Sequence, residues 1–84
     1  MDEAVPRDLV WRCRRGMREL DVLLGRWLNQ CWSSASMAER DNFAALLRCE
    51  DDQLWDWLLG RSKPEEPGLL QIVDAIRRLE SIRA

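Results

Sequence analysis

The sequence predicts an all-α chain, a compact five-helix bundle forming a single helical domain over residues 1–84. Apolar residues recur at helical spacing in several segments, and glycine, proline or serine breaks separate those segments. No segment alternates polar and apolar residues as a half-buried strand would, and there are no internal repeats or low-complexity tracts. Hydrophobic residues make up 46% of the 84 positions and five of them are tryptophans, so a few bulky rings supply core area that so short a chain otherwise lacks.

The predicted helices span approximately 6–15, 17–32, 37–49, 52–59 and 68–82. Pro6 suits a first helical position, Leu9, Val10 and Cys13 share one side of a short helix ending near Arg15, and Gly16 is its stop. Leu20, Leu23, Leu24, Trp27, Leu28 and Cys31 then follow the i, i+3, i+4, i+7, i+8, i+11 pattern of one apolar stripe. After Trp32, the run Ser33-Ser34-Ala35-Ser36 reads as a loop, and Ser36 with Glu39 forms an S-x-x-E capping box. The third helix presents Met37, Phe43, Ala44, Leu46 and Leu47, and Glu50-Asp51-Asp52 supply a break and an acidic helix start. Leu54, Trp55, Leu58 and Leu59 form the inner side of a fourth helix that stops at Gly60, while Trp57 points elsewhere. Pro64, Pro67 and Gly68 mark a connecting loop, and Leu69, Ile72, Val73, Ile76 and Leu79 restore the helical period, with Arg77 and Arg78 placed to suit the C-terminal dipole.

Composition narrows the function classes. The formal charge is −2 and histidine is absent, which removes the commonest general base and metal ligand. No metal-spaced cluster, phosphate loop or nucleophile elbow appears, so no catalytic role is assigned. Cys13, Cys31 and Cys49 are widely spaced and read as reduced thiols in a cytoplasmic protein; Cys31 falls on the apolar stripe, while Cys13, between Arg12 and Arg14, is the candidate for reactivity. The N-terminal Met1-Asp2-Glu3-Ala4-Val5-Pro6 lacks the pattern of an export signal, and no run approaches the ~20 apolar residues of a membrane span.

The unusual local feature is Trp11-Arg12-Cys13-Arg14-Arg15-Gly16-Met17-Arg18-Glu19-Leu20-Asp21. Arg7, Arg12, Arg14, Arg15 and Arg18 share residues 7–18 with a single acid, Asp8. A solvated helix face beside a glycine cap is the bland reading. Arginines on both sides of a tight glycine turn also converge on a small area, where guanidinium forks grip carboxylates or phosphates and bare backbone admits a close approach. Glu19 suits the second helix's N-terminal dipole and is placed to pair with Arg15; with Asp21 it makes the patch mixed in charge, and the two acids repel nucleic-acid phosphates. A second candidate is Leu54-Trp55-Asp56-Trp57-Leu58-Leu59-Gly60, whose tryptophans cannot both face one core, so Trp57 is taken as a rim anchor.

Together these two motifs closely resemble the SdhE family of flavinylation (FAD assembly) factors, whose Arg-Gly-x-x-Glu signature reads Arg15-Gly16-Met17-Arg18-Glu19 here. The resemblance covers nearly the whole chain, and departures are small: Trp27 and Trp32 stand where phenylalanine or another residue is more usual, and Arg18 adds charge inside the motif. It implies a compact five-helix fold and an assembly factor that binds the flavoprotein subunit of succinate dehydrogenase, and often that of fumarate reductase, to promote covalent attachment of FAD to a histidine of that subunit. It implies that no cofactor is stably bound by this chain, FAD belonging to the partner. Partner-binding residues are then expected to be Arg15, Gly16, Met17, Arg18, Glu19 and Asp21, with Arg12, Arg14, Trp11 and Trp57, in a monomer without membrane insertion or nucleic-acid binding. Because the same family has carried a CptB antitoxin label, an antitoxin-like regulatory role is the alternative.

Overall fold

The computed structural model describes residues 5–83, with side chains described for residues 5–79. Five α-helices and no strand occur among the described residues: α1 Arg7–Arg12, α2 Arg18–Cys31, α3 Met37–Leu46, α4 Asp51–Leu59 and α5 Pro67–Arg83, with a 3₁₀ turn at Trp32–Ser34. The Cα radius of gyration of 11.9 Å matches the ~11.9 Å expected of a single compact domain this long.

Local chemistry sets most helix ends. Pro6 stands just before α1, where its missing N–H is no loss. Ser36 accepts from the Glu39 amide while the Glu39 carboxylate accepts from the Ser36 amide, so the capping box closes as the residue types require. At α4 the Gln53 side chain accepts from the Glu50 amide, and the helix stops at Gly60, whose φ of 82° is left-handed. Pro67 opens α5 as a first-turn proline, and Pro64 in the preceding loop is buried.

Leu20, Leu24, Trp27 and Leu28 carry the α2 stripe into the core, where they meet Phe43 and Leu46 of α3, Leu54 and Leu58 of α4, and Ile72, Val73 and Ile76 of α5. Trp27 lies at the centre of an aromatic cluster, stacked on Phe43 with centroids 4.4 Å apart and meeting Trp32 edge-on at 6.3 Å. Arg40 covers one face of Trp32 at 4.7 Å and donates to the Trp32 and Ser33 carbonyls, so Trp32 packs on Trp27 and is capped by a cation. The most extensive helix pairing is α3 with α5, while α2 and α4 each rest on α5.

Several expectations are corrected. Helix α1 ends at Arg12, three residues before Arg15, because the chain tightens there through Arg14 N–H to Trp11 C=O and then turns to send Arg15 inward. Helix α3 ends at Leu46, and Arg48 and Cys49 continue as turns. Met37, counted on the inner face of α3, is 74% exposed, since the first helical residue overhangs the core edge. Leu59 likewise faces outward and Cys31 is only half-buried. Because α5 runs to Arg83, Arg77 and Arg78 lie well inside it and not at its terminal dipole.

With Phe43 fully buried under Trp27, Phe43→Ala is expected to lower the unfolding free energy by about 3–5 kcal/mol, read from the shift in urea midpoint. A loss near that of a surface substitution would show that the aromatic stack is not the centre of the core.

Candidate functional site

The α1–α2 turn depends on a backbone conformation that L side chains rarely adopt: Gly16 has φ 85°. That turn sets the Arg15 amide toward the first turns of α2, where it donates to Asp21 Oδ1 at 2.7 Å. The Arg15 side chain runs the other way, into the elbow between α3 and α4. Its Nε donates to Asp51 Oδ1 at 2.8 Å, Nη1 donates to the carbonyls of Leu47 at 2.7 Å and Arg12 at 3.0 Å, and Nη2 donates to the carbonyl of Cys49. Carbonyls at helix C-termini lack intrahelical donors and sit at the negative end of the dipole, so a planar guanidinium is well matched to the ends of α1 and α3 together. The Arg15 side chain is 13% exposed, and Asp51 at the start of α4 supplies the opposing charge.

This geometry corrects the expectation that Arg15 joins its neighbours in an outward cluster and pairs with Glu19. Arg15 and Asp21 hold the turn, and Met17 is half-buried against the core. What the turn presents to solvent is Arg12, Arg14, Gly16, Arg18 and Glu19, flanked by Trp11, which is 72% exposed. Trp55 and Trp57 are both half-buried against the core, and it is Trp55 that lines a groove together with Arg18 and Glu19.

Arg18 and Glu19 stand at the rim of an open groove of about 390 Å³ between α2 and α4, walled by Val22 and Leu23 on one side and by Trp55 and Leu59 on the other. A second groove of about 370 Å³ runs along the opposite side of α2, between Val10, Arg14, Val22 and Gly25. Val22 is common to both and half exposed, so the N-terminal half of α2 forms a ridge between two shallow troughs. Val10, Trp11, Val22 and Leu59 are four of the large apolar side chains left exposed. Apolar anchors beside charged rims are the composition of a protein-docking surface. Sequence reasoning missed Val22, Leu59 and Trp55. For Val22 a signal existed: an apolar residue off the Leu20-Leu24-Trp27 stripe.

The cysteines do not support reactivity. Cys13 is 5% exposed, and burial pushes its thiol up to about 11, with Asp21 adding to the rise and Arg15 opposing it. The expectation of a reactive Cys13 beside Arg12 and Arg14 fails because those guanidinium groups face solvent while the thiol faces the core. Burial raises Cys31 and Cys49 as well, helped by Glu39 and Glu66 respectively. Among the described residues no cluster of cysteine and acidic side chains has the arrangement to hold a metal ion.

Residues 7–80 match a family described as flavinator of succinate dehydrogenase. The chain is 48% identical over 71 residues to a protein of Xylella fastidiosa strain Temecula1 named FAD assembly factor SdhE, covering 84% of this chain and 73% of the relative. Proteins of the same name from Vibrio cholerae, 42% identical over 66 residues with 79% and 77% covered, and from Coxiella burnetii, 42% identical over 71 residues with 84% and 87% covered, are also similar. These descriptions give no support to the antitoxin-like alternative.

The Cys13 environment sets an alkaline limit. The thiol titrates near 9 unfolded and near 11 folded, so between those values the unfolded chain releases a proton that the native state retains. Stability is fully present below pH 9 and falls as the pH rises toward 11, Cys31 and Cys49 acting in the same direction. Neither tyrosine nor histidine is present to mask the effect. In urea titrations across this range Cys13→Ala is expected to flatten the decline; an unchanged slope would remove Cys13 as its source.

Proposed function

The chain belongs to the family of flavinators of succinate dehydrogenase, and we propose that it docks on the flavoprotein subunit of succinate dehydrogenase and promotes covalent attachment of FAD to that subunit. The observation that carries this reading is the α2 ridge, where Arg18 and Glu19 stand exposed beside a left-handed glycine turn and between two apolar troughs. Clasping through Arg15 and Asp21 preorganises the turn, which lowers the ordering cost of docking and favours an adaptor that shapes its partner over one that moulds itself to it.

The chain performs no chemistry of its own in this reading. Flavin supplies the redox and bond-forming chemistry, and the accepting histidine is the partner's, since this sequence has none. Arg18 and Glu19 form directed polar contacts while Val22, Trp55 and Leu59 bury apolar area, and that binding energy orders the partner's flavin site. FAD is not stably held by this chain: a shallow groove of about 390 Å³ lies at the lower end of cavities that enclose a drug-sized ligand, and a dinucleotide is larger still. The flavoprotein subunit of fumarate reductase is a second client. The protein acts as a monomer in the cytoplasm, where its free thiols suit a reducing milieu, and no described helix is long and apolar enough to cross a membrane.

Deleting the protein should lower the covalent flavin fluorescence of the flavoprotein subunit in a denaturing gel, and wild-type chain should restore it. An unchanged flavin signal in the deletion would overturn the assembly role. Gly16→Arg and Glu19→Ala should restore it poorly while circular dichroism stays helical. A Cβ at position 16 meets nothing within 4 Å, so its cost to stability comes from the left-handed φ, about 1–2 kcal/mol; if both variants unfold, the turn is structural and the docking assignment fails.

A further inference from the structure

The two walls of the α2–α4 groove share core side chains, Leu20 and Leu24 with Leu54 and Leu58, but no close backbone pairing among the described residues. Helices α2 and α4 have little direct backbone contact and each leans separately on α5. They come together at one end, because α2 begins at Arg18, three residues beyond Arg15, and α4 begins at Asp51, the residue that Arg15 Nε binds. The same guanidinium fastens the Leu47 and Cys49 carbonyls, which lead from α3 into α4, and the Arg15 amide is tied to Asp21 on α2. One residue is thus bonded to both walls at their common base.

We propose that Arg15 is a positioning residue, whose clasp on Leu47, Cys49 and Asp51 sets the angle between α2 and α4 and so gives the Arg18–Glu19 groove its docking shape. The lever is long enough to matter. Trp55 and Leu59 lie roughly 6 and 12 Å along α4 from Asp51 at the helical rise, so a tilt of about 10° at the base moves Leu59 by about 2 Å, the scale on which an apolar contact is made or lost. Arg15 is 13% exposed and its carbonyl bonds to Leu47 and Cys49 are the sheltered part of the clasp, whereas Asp51 is 39% exposed and its charge pairing is partly screened by solvent. Lysine is no substitute at position 15: its ammonium is a point charge that cannot bond three chain segments from one plane.

The inference rests on the reading that this groove docks the flavoprotein subunit, and its test has an arm independent of that reading. In Arg15→Lys, with helix content unchanged by circular dichroism, ¹H–¹⁵N spectra of the isolated protein should show shifts spreading from Leu47–Asp51 to Gly16, Leu58, Leu59 and the Trp55 indole. Shifts confined to the α3–α4 elbow would overturn the proposal. In the second arm, the affinity of the folded variant for the isolated flavoprotein subunit should fall by about tenfold, and Arg15→Lys combined with Asp51→Asn should lose little more than the worse single variant. A wild-type affinity accompanied only by a lower unfolding midpoint would reduce Arg15 to a stabilising residue, and multiplicative losses would mean that the two side chains act separately. Should Arg15→Lys fail to fold, Asp51→Asn, which leaves the carbonyl bonds of Arg15 in place, carries both comparisons. If the wild-type protein does not bind the subunit while the spectral shifts still reach Trp55 and Leu59, the docking reading fails and the clasp stands.

Discussion

Helix ends are the costly part of a small bundle, because their free carbonyls must find donors in a structure with little interior to spare. Here α1 and α3 finish against the same space, and the Arg15 guanidinium fills it, donating to the carbonyls of Arg12, Leu47 and Cys49 and pairing with Asp51. The arrangement explains why α1 stops after six residues and why the chain then needs a left-handed glycine: Arg15 must leave the helix to aim inward, and Gly16 must reverse the backbone so that α2 starts beside it. A largely buried charge is tolerated because its donors are met by carbonyls and a carboxylate. Removing the guanidinium would take that donor from the Arg12, Leu47 and Cys49 carbonyls.

The turn therefore divides its residues by direction. Arg15, Met17 and Asp21 face inward or bind the backbone, while Arg18, Glu19 and Val22 face outward from the next turn of helix. The residues proposed to dock are adjacent to those that hold the turn, so the outward groups inherit their placement from the inward ones. A surface held in this way needs little adjustment on meeting a partner.

Much of this was legible in the sequence, for reasons that are local. The α2 stripe, the Ser36–Glu39 box and the Gly60 stop each rest on residues within a few positions of one another, and the structure realises all three. The Arg-Gly-x-x-Glu motif located the exposed turn. The direction of Arg15 was not readable, since three of its four side-chain acceptors lie more than thirty residues away and come together only once α3 and α4 have packed. Helical periodicity also failed at edges: Met37 and Leu59 fit an apolar pattern but sit at helix ends, beyond the reach of the core. Trp55 was not readable as a groove residue either, because a two-residue offset says that the two rings diverge and not which one borders the groove.

The tryptophans have a consequence beyond packing. With no tyrosine in the chain, near-ultraviolet emission comes almost wholly from five indoles in unlike surroundings. Trp27 and Trp32 are enclosed, Trp55 and Trp57 are half-covered, and Trp11 stands in water beside the glycine turn. The red edge of the spectrum therefore reports from next to the motif and the blue edge from the aromatic core, giving two optical channels that an aqueous quencher separates without any label.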